Sequence, residues 1–176
     1  MPLVTGSVLG RMVTSRFTHA SILALDLEES VEFYEEVFGM TRIPSPNFTT
    51  PVEWLRAGDL TVHLFKRDIE PAEYYHVGFH VDDFEGLYQE VQRRGIGTTF
   101  DPETEEPVAY ELPDGAVQLY LTDPTGNLVE ANYPDVTELD TSIVTHIVPR
   151  SEQLPQDGEA TEAQLYFEGT IPAEIR

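Results

Sequence analysis

The amino-acid sequence predicts an α+β fold: two paired βαβββ modules forming a cupped mixed sheet, followed by a C-terminal extension. One order of elements (strand, helix, three short strands) occurs twice in succession, and such self-similarity marks a repeated supersecondary unit. A histidine stands near the start of the first strand in each copy, His19 and His76, 57 residues apart, about the length of one unit. Turn-forming residues punctuate both copies at matching places. The chain therefore divides into an N-terminal extension (1–15), a first module (16–66), a linker (67–73), a second module (74–134) and a C-terminal extension (135–176).

In the first module, residues 16–25 read as a strand and 28–38 as a helix. Val31, Tyr34 and Phe38, with Phe33 and Val37 beside them, form the apolar stripe, while Glu32, Glu35 and Glu36 face out. Ser30 and the acids before it suit the positive helix start, and Gly39 suits its C-terminal cap. Short strands follow at 41–43, 52–57 and 60–66, the last two joined by a Gly58-Asp59 turn. The second module repeats the order: a strand at 74–81, then a helix at 84–93 with Phe84, Leu87, Tyr88 and Val91 on one stripe, stopped by Gly95. Further strands are expected at 98–100, 108–112, 116–122 and 128–132, turned by Pro113-Asp114-Gly115 and Asp123-Pro124-Thr125-Gly126.

Composition narrows the function. A hydrophobic content of 40% with 10% aromatics is ample for a packed core in 176 residues. The absence of cysteine removes disulfides, thiolate metal sites and cysteine nucleophiles, so any metal must be held by imidazole and carboxylate. A net charge of −22, with Lys66 the single lysine, argues against nucleic acid or an anionic membrane as partner. No apolar run approaches a membrane span, and the opening residues lack the basic head of a signal peptide. The expectation is a soluble cytoplasmic protein with a small-molecule substrate.

Strand alternation sorts side chains by face. His19 shares a set with Phe17, Ser21 and Leu23; His63 with Thr61 and Phe65; Glu130 with Leu128 and Asn132; Tyr120 with Gln118. Each module thus has one face under its helix and one carrying ligand-capable groups. A lone strand histidine is more often structural than a ligand. Here, however, each copy has a His near its start and a His or Glu in its last strand. Three imidazoles and one carboxylate (His19, His63, His76 and Glu130) suit Fe2+, Ni2+, Mn2+, Co2+ or Zn2+ better than Ca2+ or Mg2+.

At these residues the sequence resembles the vicinal oxygen chelate superfamily, which includes glyoxalase I, methylmalonyl-CoA epimerase, extradiol dioxygenases, fosfomycin-modifying enzymes and bleomycin-resistance proteins. The resemblance runs from about Arg16 to Pro134 and is carried by Phe17-Thr18-His19, by Tyr75-His76-Val77-Gly78-Phe79, and by the stretch from Tyr120 to Glu130 with its Asp123-Pro124-Thr125-Gly126 turn. It implies that His19, His76 and Glu130 take the three recurrent ligand positions. It puts His63 at the fourth, where glyoxalase-type members usually carry Glu or Gln. It also implies a homodimer, in which the site forms within one chain or draws His19 and His63 from one chain and His76 and Glu130 from the other.

The fourth position bears on the reaction. Extradiol dioxygenases resemble this chain in a two-His, one-carboxylate triad, but usually carry a further His where this chain reads Ala109-Tyr110-Glu111-Leu112. The balance leans to a glyoxalase-type isomerase or lyase acting on a substrate with vicinal oxygens, with the metal as Lewis acid. Such a proton shift needs a base: Glu130 first, Glu111 second. Tyr120 is placed to hydrogen-bond a bound oxygen. His80 lies roughly 13 Å from His76 along the strand and is at most a substrate or rim residue. Trp54, Phe65 and Phe48 suit an apolar or aromatic substrate part. The alternatives are an Fe(II) extradiol dioxygenase and a metal-free drug-binding module. In the C-terminal extension, the apolar run 143–148 and Leu165-Tyr166-Phe167 are expected to dock on the core or on a partner subunit.

Overall fold

The computed structural model describes residues 17–167. Its fold is mixed α+β, with one sheet of four strands and one of five. The first sheet comprises β1 (His19–Ala24), β2 (Thr41–Ile43), β3 (Val52–Ala57) and β4 (Leu60–Lys66), in the order β1-β4-β3-β2, with β1 parallel to β4. Helix α1 (Leu27–Phe38) connects β1 to β2. The second comprises β5 (His76–His80), β6 (Ala109–Glu111), β7 (Val117–Thr122), β8 (Leu128–Tyr133) and β9 (Ile147–Pro149), ordered β5-β8-β7-β6-β9, with α2 (Phe84–Arg94) after β5. A single-turn helix, α3 (Arg150–Gln153), follows β9. The expected N-terminal extension and Arg16 lie outside the described residues.

Local chemistry accounts for the boundaries. Asp26, not Ser30, caps α1, its carboxylate accepting from the Glu29 N–H at 3.1 Å. Ser30 is instead buried one turn in, among the residues that face the sheet. Gly39 and Gly95 end α1 and α2 in the left-handed conformation, at φ 61 and 65. The strand expected at 98–100 does not form. Gly97 and Phe100 make only isolated bridges, to Leu121 and Pro107, because the segment turns away between them. The reverse holds beyond residue 134, where Ile147–Pro149 of the apolar run becomes β9, parallel to β6.

Alternation in each sheet places one set of side chains under the helices. Ile22, Ala24, Val62 and Leu64 from the first sheet, and Val117, Leu119, Leu121, Val129 and Ala131 from the second, join Val31, Tyr34, Phe84, Tyr88 and Val91 in one core. The two halves of the chain are pinned together at the β7–β8 turn. Tyr34 donates to Asp123 at 3.0 Å, the Asn127 amide to the Leu23 carbonyl at 2.8 Å, and the Leu25 N–H to Thr125 Oγ1 at 3.0 Å. Burial pushes the Asp123 carboxyl above its usual pKa, and donors from Asn127, Tyr34 and Thr125 pull it back.

Tyr34→Phe removes one of those donors and is expected to cost about 1–3 kcal/mol, the penalty for under-satisfying a buried carboxylate. Asp123 in the variant has a folded pKa raised further above its unfolded one. The deficit is therefore expected to be largest at neutral pH and to shrink as pH falls and the group takes up its proton. Chemical denaturation of both proteins at pH 7 and pH 4.5 measures it; a deficit that grows on acidification rejects the account.

Candidate metal centre

The first half-site sits on the uncovered face of the first sheet. His63 on β4 is opposite Trp54 on β3, and its ring is sandwiched. Trp54 stacks on it at 4.1 Å and 4° between planes, and His19 on its other side at 4.3 Å and 16°. Phe65 and Phe48 close the apolar surround, at 6.5 Å from His63 and 6.4 Å from Trp54 respectively. His63 is buried, and burial first, then the neighbouring His19, lowers its pKa, so it stays neutral. Its Nε2 is 3.0 Å from Thr61 Oγ1. His19 is exposed, with Nδ1 2.9 Å from Thr18 Oγ1 and Nε2 without a partner among the described residues. Stacked rings direct their in-plane lone pairs along separate planes, so His19 and His63 do not converge on one point as they stand; the exposed His19 has room to turn.

The second half-site sits on the uncovered face of the second sheet. The Nδ1 of His76 is 3.0 Å from the Tyr74 carbonyl, which can only accept, so Nδ1 carries a proton and Nε2 is the nitrogen turned to the sheet face. Tyr74 holds that carbonyl from a left-handed conformation, φ 63, unusual for a bulky residue and typical of strained functional positions. His76 Nε2 faces Glu130 Oε2 at 3.3 Å, with the carboxylate buried. Two electron-rich atoms at that distance repel unless a proton or a metal ion lies between them. Space for the carboxylate comes from Gly78, opposite Glu130 on β5: a Cβ there would stand 3.5 Å from Glu130 Oε1 and 3.0 Å from Asn132 Nδ2.

Around this pair, Tyr120 on β7 is opposite Glu130, and its ring is 6.0 Å from that of His76. Burial and then Glu130 raise the Tyr120 pKa, so the phenol keeps its proton at neutral pH. Glu111 is not brought here. It pairs with the fully buried Val117, which places it on the helix-covered face of the sheet, while Tyr110 takes the uncovered one. His80, at the far end of β5, is 3.2 Å from the Tyr166 hydroxyl through Nδ1. It lines a crevice of about 340 Å³ between the sheets, with Phe17, Phe38, Arg56, Gly78 and Phe79.

The structure brings His19, His63, Trp54 and Phe65 together, and His76, Glu130 and Tyr120 together, but the two groups stay apart. Among the described residues no three His, Asp or Glu side chains gather closely enough to hold an ion. The pinning of the two halves explains it. Asn127, next to the Leu128 that pairs with His76, bonds to Leu23, whereas His19 lies four residues back along β1, roughly 13 Å away. Alternation set Gln118 and Asn132 on this face without giving them a role, and the segment with Tyr166 was expected only to dock on the core or on a partner subunit. Sequence reasoning missed Arg150, since nothing local foretold that it follows a strand added to this sheet.

The glyoxalase/bleomycin resistance protein/dioxygenase superfamily model matches residues 16–131, and the chain belongs to that superfamily. The fold is similar to that of a glyoxalase family protein from Bacillus anthracis, 25% identical, covering 70% of this chain and 98% of that one with a TM-score of 0.57. It is also similar to the genomically encoded fosfomycin resistance protein FosX from Listeria monocytogenes, 16% identical, covering 72% and 96%, with a TM-score of 0.56. A variant of that Listeria protein, 14% identical and covering 71% and 96% with a TM-score of 0.56, is complexed with Mn(II) and 1S,2S-dihydroxypropylphosphonic acid. No curated protein matches the chain. Among the described residues no helix is long and apolar enough to cross a membrane.

The lowered His63 pKa has a measurable sign. A base whose folded pKa lies below the ordinary 6.5 stabilises the fold fully above pH 6.5, and the contribution is lost as pH falls through the folded value. His63→Gln is therefore expected to flatten the decline in thermal midpoint between pH 7 and pH 5. Parallel profiles for the two proteins contradict this.

Proposed function

We propose that the chain is a divalent-metal-dependent enzyme of glyoxalase type, an isomerase or lyase for a small substrate with neighbouring oxygens. Its site is shared between two copies of the chain, His19 and His63 from one and His76 and Glu130 from the other. The observation that carries this is the facing pair of His76 Nε2 and the buried Glu130 Oε2 at 3.3 Å, matched by an imidazole pair on a separate sheet that one chain does not bring alongside. Exposed aromatics flank both half-sites, Phe17 at 77%, Tyr74 at 86% and Tyr75 at 80%, as expected of surfaces that a second copy covers.

The donor set fits Fe2+, Ni2+, Mn2+, Co2+ or Zn2+, held by neutral imidazole and carboxylate. Such an ion supplies Lewis acidity toward two adjacent substrate oxygens. The chain's own residues do the rest. Glu130, the carboxylate on this face, is the candidate to take a proton from substrate carbon, and Tyr120, protonated at neutral pH, donates a hydrogen bond to a substrate oxygen. Trp54, Phe65 and Phe48 wall the other half and exclude water. A second reading, an Fe(II) extradiol dioxygenase, draws on the stacking of His63 between Trp54 and His19 with Nε2 on Thr61, which leaves a two-His, one-carboxylate set.

Complementation tests the shared site. His19→Ala and Glu130→Ala chains are each expected to lose metal, and mixing them under exchange is expected to restore it, since every mixed dimer carries one intact site. Metal analysis that finds no recovery, with mixed dimers shown to form, rejects sharing. His63→Ala separates the reactions: loss of metal supports the isomerase or lyase, whereas undiminished metal moves the reading to the dioxygenase. Wild-type protein that takes up none of these ions points to a binding module.

A further inference from the structure

Polar surface on the second sheet continues past His76 and Glu130. Same-face residues of β7 and β8 come as opposed pairs, Tyr120 with Glu130 and then Gln118 with Asn132, one row further and about 7 Å along the strands. Gln118 and Asn132 are 8% and 5% exposed, on a face with no helix over it. Residues beyond the repeated units stand against this face. Arg150 lies over the Tyr110 ring at 4.0 Å and 5.9 Å from that of Tyr120, and Tyr166 reaches His80 from the same extension. β9 positions Arg150, because its parallel pairing to β6 sets Val148 beside Tyr110.

The bonding of Arg150 is unlike that of the arginines that hold carboxylates. Arg42 holds Glu28 and Glu53, and Arg93 and Arg94 share Glu90. Arg150 has no carboxylate partner among the described residues. Its Nη1 donates to Gln153 at 2.8 Å and its Nη2 to Gln118 at 3.3 Å, both neutral amides. Among the described residues, this half-buried guanidinium stacked on tyrosine meets only neutral groups.

We propose that Arg150, held by Gln118, forms a second subsite, which receives an oxyanion substituent of the substrate one row away from His76 and Glu130. The inference rests on the reading that those two residues hold a metal ion bound by the substrate's neighbouring oxygens. The guanidinium offers parallel donors to carboxylate, sulfate or phosphate oxygens. Tyr120 spans the two rows. The substrate class is a small molecule with vicinal oxygens at one end and an oxyanion at the other, and Arg150 offsets the repulsion that Glu130 would exert on it.

Calorimetric titration of the Mn(II)-loaded full-length protein with D-glycerate and 3-phospho-D-glycerate, which share the vicinal-oxygen end, tests this. The wild type is expected to prefer the phosphorylated probe by about tenfold or more, as for a charge-assisted hydrogen bond. Arg150→Met, which keeps an unbranched chain against Tyr110, is expected to abolish the preference, lowering affinity for 3-phospho-D-glycerate by far more than affinity for D-glycerate. Arg150→Lys is expected to keep part of it. Failure of both probes to bind, equal binding by the wild type, or a preference that survives in Arg150→Met overturns the proposal. Mn(II) stoichiometry in the same samples and in Glu130→Ala reports separately on the metal reading. If no Mn(II) is taken up, inorganic phosphate replaces the probes, and binding that does not depend on Arg150 overturns the subsite.

Discussion

Asp123 accepts four hydrogen bonds inside one turn: from the Tyr34 hydroxyl, from the Thr125 and Asn127 N–H groups, and from the Asn127 side-chain amide. The same Asn127 amide and the Thr125 hydroxyl hold the end of β1 through Leu23 and Leu25. One buried carboxylate thus shapes the β7–β8 hairpin and fixes one half of the molecule on the other. Which surfaces are left free follows from that. With the end of β1 held against the start of β8, His19 points away from His76, and each half presents its own pair of ligand-capable residues outward. An unshielded carboxylate in the core would be a heavy cost, so the donors that satisfy it also dictate how the halves meet.

Much of the fold was legible because its signals are local. The helical stripes in α1 and α2, the glycines at 39 and 95, and the strands β2, β3 and β4 follow from periodicity and turn chemistry. Errors arose where a tertiary contact overrode a local cue. Residues 98–100 have the composition of a strand, but their neighbours offer only isolated bridges. β9 was unreadable as a strand because its partner, β6, is parallel and distant in sequence.

The candidate site was legible residue by residue and not as an assembly. Alternation put His63 and Glu130 on uncovered faces and Tyr120 with them. The same alternation, once the register of β6 against β7 is known, sends Glu111 to the opposite face. Nothing in the spacing of His19 and His76 could show that they would stand on strands of different sheets, or that Trp54 and His19 would sandwich His63. Arg150 was invisible for a related reason: its place is set by a strand pairing and by an aromatic ring, and neither has a sequence period.

The parallel pairing of β1 with β4 and of β5 with β8 also bears on the order in which the candidate residues reach their places. His19 is matched with Thr61, and His76 with Leu128, so each first strand can join its sheet only after the long stretch between them has been reeled in. The β3–β4 and β7–β8 hairpins close over a few residues and are entropically easy. A half-folded chain would therefore hold His63, Tyr120 and Glu130 on its hairpins while His19 and His76 were still adrift. The strands that finish the sheets are the ones that bring the remaining imidazoles, so the four candidate residues all reach their places only when folding is nearly done.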